Sequence, residues 1–248
     1  MTAAGTDRLP AFFFAPEEGG RLLDRQTYSL WLVGATAMLV DDRTTPQQRQ
    51  DVFDSVLYAQ LRSDKTSDTR LSNYPAWNDT FREALVARAW APIHRAGRYL
   101  LKGELAGQLP LQWLADQLRA QCPELSEALV DGVMQQALDL VVHDFQDLAG
   151  RYAVYHVGAL RPGRQLLLCG LRIEHQPSPA PALRPVAEPL ADKLPGNDYF
   201  STWQGEMDEE SYEVMRDAVH KEIAQKHPVE ELIKNLGVLP NGGRNGKE

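Results

Sequence analysis

Near residue 150 the hydrophobic repeat of this chain changes period, and that change limits what the chain can fold into. Before it, apolar residues recur at intervals of three and four, the repeat of helices that bury one face. After it, Tyr152, Val154 and His156 alternate with Ala153, Tyr155 and Val157, which is the two-residue repeat of a strand. Residues 166–173 form a second strand-like run. Between the two lies Arg161-Pro162-Gly163-Arg164, a turn signal with Pro second and Gly third. A two-stranded ribbon is marginal alone in water, so it must pack on the helices, gain a strand or pair with another chain.

In the first half, Leu30, Val33, Ala37 and Val40 fall at helical spacing, and Leu32 and Leu39 fill the other faces. That predicts a buried central helix over 28–40, with a buried strand as the alternative. Thr45-Pro46 with Gln48 is a capping box with proline at the first helical position. It opens a helix through Val52, Val56, Tyr58 and Leu61. Residues 77–101 read as a second long helix kinked at Pro92. Pro110 and Pro123 open two more, the last closed by Gly150. The expected fold is mainly α (α+β): an N-terminal bundle of five or six helices, a β-hairpin near 152–174, a Pro-rich arm and an acidic C-terminal helix. The expected units are 1–176 for the bundle and hairpin, 177–195 for a connector with six prolines, 196–239 for an acidic helical appendage and 240–248 for a disordered tail. In the appendage, 230–236 reads as a short helix closed by Gly237.

Charge follows the same division. Residues 188–231 hold twelve acidic and four basic side chains, a balance of −8 that equals the net charge of the whole chain. A field of one sign confined to one segment acts on partners, whereas scattered charge mostly serves solubility. There is no basic run, which argues against a nucleic-acid binder. The best apolar run, 30–40, is about half of the roughly 20 residues that span a bilayer, and no secretory leader is visible. The expected location is the cytoplasm, with no membrane contact, and 19 Arg against 7 Lys suits a bacterial source. Cys122 and Cys169 match no zinc or CxxC spacing and read as buried, reduced thiols.

Catalytic signals are sparse. No GxSxG, Walker-type loop or GxGxxG occurs. Asp139, His143 and Asp147 share one helix face with Asp144 beside them, a pattern that can tune an imidazole for base chemistry or metal binding. The same face continues back through Asp131 and Gln135, as the solvated side of an amphipathic helix would. The His143-Asp144 pair resembles the helical HD phosphohydrolases, and that resemblance casts His94 and Asp192 as outer metal ligands. His220, Glu222 and His227 lack the four-residue spacing of a zinc helix. His156 and His175 read as packed strand histidines.

The candidate partner-binding residues are Tyr199, Phe200 and Trp203, followed by Glu206, Asp208, Glu209, Glu210 and Tyr212. Rings anchor and charges steer in a docking element, although the same rings could clamp the segment to its own body. The expected function is a non-enzymatic interaction protein (an adaptor, an immunity-type inhibitor or an assembly component) that meets a basic partner surface through the acidic arm. No cofactor, metal or nucleic acid is expected. The alternatives are a metal-dependent, HD-like helical hydrolase built on His143 and Asp144, and a self-associating structural protein such as a homodimer.

Overall fold

A computed structural model describes residues 27–66, 70–71, 73–100, 110–143, 152–174, 198–225 and 229–240. Its centre is one seven-stranded sheet rather than a helical bundle. The strands are β1 (Thr27–Val33), β2 (Thr36–Asp41), β3 (Trp90–Tyr99), β4 (Tyr152–Arg161), β5 (Gln165–Glu174), β6 (Tyr199–Met207) and β7 (Ile233–Pro240). Their order across the sheet is β3-β6-β5-β4-β2-β1-β7. All neighbouring pairs are antiparallel except β2 with β4. The helices are α1 (Pro46–Thr66), α2 (Tyr74–Val86), α3 (Pro110–Gln121), α4 (Glu127–His143), α5 (Glu209–Ala224) and the single turn α6 (Val229–Leu232).

Helices cover both faces. Leu114 and Leu118 of α3 and Leu129, Val133 and Ala137 of α4 pack with Leu39, Tyr155, Val157, Cys169 and Leu171. On the other face Val52, Phe53 and Val56 of α1, Trp77 and Phe81 of α2, and Tyr212, Val219 and Ile223 of α5 pack with Met38, Val154, Leu168 and Trp203. The fold is therefore α+β in three layers, and the mainly α expectation is corrected.

The physical reason lies in strands buried on both faces. Alternation along β2 sends Ala37 and Leu39 into one core and Met38 and Val40 into the other. Such a strand is apolar at every position and mimics a helix that is buried all round. Residues 28–40 are thus the β1–β2 hairpin, turned at Gly34, where φ is +54° and an added Cβ would strike Gln60 and Leu57. The long helix read over 77–101 ends at Val86. Ala89 takes φ +63° and the chain continues as β3. Pro92 sits at an edge strand, where its missing N–H leaves no ladder bond unmade, and the pairing is irregular between Pro92 and His94. The short helix read over 230–236 is one turn only, after which β7 begins and Gly237 takes φ +119°.

Other features follow the sequence directly. The Thr45 cap forms reciprocally: the Gln48 N–H donates to Thr45 Oγ1 at 3.2 Å and the Thr45 N–H to Gln48 Oε1 at 3.1 Å. The β4–β5 connection has three residues, with Gly163 and Arg164 both at positive φ (76° and 59°). No described helix is long and apolar enough to cross a membrane.

Candidate functional site

The acidic helix is docked by one face on α1, and it is there that charged groups converge. α1 is enclosed on nearly every side, and it buries two carboxylates, Asp51 (1% exposed) and Asp54 (2%). Buried carboxylates need donors, and α5 supplies them. Arg216 gives Asp51 a two-pronged contact, Nε to Oδ1 at 2.8 Å and Nη2 to Oδ2 at 3.1 Å. His220 Nδ1 lies 3.1 Å from Asp54 Oδ2. Gln47 and Gln50, one turn earlier on α1, donate to Asp51 and Asp54 at 2.8 and 2.7 Å. Burial pushes the Asp54 carboxyl up against these donors, which pull it down.

A third element joins from the β4–β5 turn. The left-handed conformation at Arg164 turns its side chain under the start of α5. Its guanidinium reaches Glu209 at 2.5–2.6 Å and Asp51 at 3.6 Å. That pairing holds the Glu209 carboxyl below its ordinary range. Asp208 caps the helix by accepting from Ser211, and these bonds lower its pKa too. The electrostatics of the seam thus reverse the simple sequence picture, since the body contributes buried acids and the acidic helix turns its bases inward.

What remains outward is acidic. Glu210, Glu213 and Asp217 are exposed along one side of α5 with Lys221, and they surround Val214, which is 90% exposed. None of these three carboxylates is in a salt bridge among the described residues. Glu206, on β6, is exposed as well.

The structure divides the residues singled out as partner-binding. Tyr199, Phe200 and Trp203 are buried in β6, between β3 and β5, and Tyr212 is buried against α1. Phe200 meets Trp113 edge-on at 4.8 Å, and Trp203 meets Trp90 at 5.6 Å. Glu206, Asp208, Glu209 and Glu210 are exposed. Of the residues singled out for catalysis, Asp139 is exposed on α4 and accepts from Gln135 at 3.1 Å. His143 is the last residue of α4, while Asp144, Asp147 and Asp192 lie outside the described residues, as do His175, His227 and 177–195. His94 is on β3. Among the described residues no group of three or more His, Cys, Asp or Glu is placed to hold a metal ion.

Two further sets are structural in character. His156 is enclosed between Trp77 and Phe81, both edge-on at 6.0 and 5.4 Å. Gln60 donates to Thr36 Oγ1 at 2.9 Å, which leaves the Thr36 hydroxyl proton for His156 Nδ1 at 2.8 Å. Burial, with Arg70 and Arg82 nearby, pushes the His156 pKa down to about 3. Cys122 and Cys169 are free thiols in the core on the opposite face of the sheet, and burial raises both, Cys169 to about 12.

The Asp51–Arg216–Arg164 seam was missed in the sequence. Its signal was present: Asp51, Asp54 and Ser55 interrupt an apolar helix at core spacing, and Arg216 and His220 recur four apart between Tyr212 and Ile223.

No protein-family model matches the chain, and no curated protein matches it. Among solved structures, that of the Evf virulence factor shows a likeness with a TM-score of 0.35 and 12% identity, over 85% of this chain and 91% of that one. A likeness that low carries no argument about fold or function.

Proposed function

We propose that the protein is a protein-interaction module, and that its contact surface is the outward side of α5, which takes a basic partner. The observation that carries this is Val214, a β-branched aliphatic side chain almost wholly in water, set among Glu210, Glu213 and Asp217. A lone apolar residue on a surface is ordinary. Ringed by carboxylates without salt bridges, it has the composition of a contact patch with an apolar centre and a charged rim. The same charges disfavour pairing of α5 with a second copy of itself and favour a cationic surface. Tyr199 and Trp203 of β6, which share a core with Tyr212, Val219 and Ile223, are then part of the platform under α5, and the contact is made by the acids. The inward seam fixes the orientation of the helix, so little ordering is left for the moment of binding.

The test is charge reversal. Glu210→Lys, Glu213→Lys and Asp217→Lys together change only exposed positions. The triple variant should keep the wild-type melting curve and lose the basic proteins that the wild type retains at low salt. Raising the salt should release the same proteins from the wild type. Retention of those proteins by the triple variant would overturn the reading.

A further inference from the structure

We propose that a notch between the second half of α1 and the C-terminal half of α5 binds a terminal phosphate group through Arg62, Lys65 and Arg88. This site is separate from the outward acidic side of α5. The notch has a volume of about 20 Å³ and is lined by Tyr58, Leu61, Arg62, Lys65, Glu222 and Ile223. Arg88 borders it from the turn after α2, with its guanidinium carbon 4.0 Å from the centre of the Tyr58 ring.

The site is rich in donors and poor in acceptors. Arg88 Nη2 is 3.9 Å from Glu222 Oε2, beyond hydrogen-bond reach. Its Nη1 has the Ala87 carbonyl at 3.5 Å, and its Nε is buried with no acceptor. A buried donor left unmade is unfavourable and marks the place of a missing acceptor. Arg62 and Lys65 are exposed beside it, and their side chains make no hydrogen bond or ion pair among the described residues. A basic residue in the last turn of a helix offsets the helix dipole, which accounts for Lys65. It does not account for Arg88, which arrives from another element and stands over Tyr58 and beside Glu222, two residues of the lining.

Charge and size then select the ligand. Three cations and the one carboxylate of Glu222 leave a balance of +2, the complement of a phosphate dianion. The volume admits about one water-sized group, so one phosphoryl oxygen enters while the rest of the ligand stays in solvent. An oxygen there would meet Arg62 and Lys65 of the lining and compete with Glu222 for the Arg88 guanidinium.

The test uses the full chain and inorganic phosphate, followed by amide NMR shifts at constant ionic strength, with chloride and acetate as parallel arms. Phosphate should give saturable shifts around residues 58–65, 88 and 222. Arg88→Gln and Lys65→Gln should each weaken binding about tenfold, and Glu222→Gln should tighten it several-fold. Lys65 is exposed, so Lys65→Gln keeps the test decisive if Arg88→Gln fails to fold. Shifts no different from those of chloride would overturn the site, and so would a Glu222→Gln variant that binds no tighter. Acetate binding as tightly as phosphate would overturn the dianion assignment.

Discussion

His156 gives this protein a built-in sensitivity to acid, and His94, also lowered by burial, adds to it with the same sign. The folded pKa of His156, about 3, lies below the ordinary value of 6.5, so the folded chain keeps the ring neutral while the unfolded chain takes up a proton. Stability is therefore unaffected above about pH 6.5 and falls as the pH drops from there towards 3, with a slope approaching 1.4 kcal/mol per unit. Asp208 and Glu209, with lowered pKa values, lose their contribution only below the ordinary carboxylate range, and Asp54, raised by burial, acts with the opposite sign. His156→Gln retains a polar partner for Thr36 and cannot ionise. Urea melts between pH 4.5 and 6.5 should show a flatter stability profile for it than for wild type. Asp51→Ala strands Arg164, which is 4% exposed, beside Glu209 alone. The expected loss is about 3–5 kcal/mol, measured in the same melts, because one half of a buried pair is left behind. Little of this was legible in the sequence. Asp139, His143 and Asp147 look like chemistry because their spacing of four would align them on a helix, yet Asp139 faces water. Asp51 and Arg216 are 165 residues apart and meet only through the fold.

At the scale of elements, α5 is held by three fully buried apolar side chains, Tyr212, Val219 and Ile223, and by the charged seam. Three such residues contribute about 2 kcal/mol each, and loss of one seam partner subtracts from that hold by leaving buried charge unpaired. Asp51→Asn should speed hydrogen exchange across 209–224 while β4 and β5 stay protected. Equal loss in β4 and β5 would show that the helix is not a separate unit of stability. The edge strand β3 bears its own safeguards. Pro92 withholds a donor, the pairing bulges beside it, and Arg95 is exposed. Pro92→Val with Arg95→Val should produce concentration-dependent association by light scattering. The helices α3 and α4 were readable because each buries one side, and α1 because a capping box with a proline opens it. The strands β1, β2 and β6 were not. Two-sided burial removes the alternation that would have exposed the first two, and the rings of Tyr199 and Trp203 look adhesive until a neighbouring strand covers them.

Across the whole molecule, one sheet divides two apolar cores, and every strand but β3 feeds both. Leu167 and Leu168, adjacent on β5, belong to different cores. Damage on one side is therefore felt on the other. Leu118→Ala and Phe81→Ala, on opposite sides, should each lower the midpoint of a single thermal transition rather than split it in two. The order of strands also has a temporal side. β3 finds its neighbour only in β6, more than a hundred residues later in the chain, and β1 gains its outer neighbour only in β7. A nascent chain that reaches residue 174 has thus released five strands of which one, β3, has no strand to pair with. Assembly waits for β6 and β7, and a chain that stops short of them is left with raw sheet borders that invite chaperones and proteases.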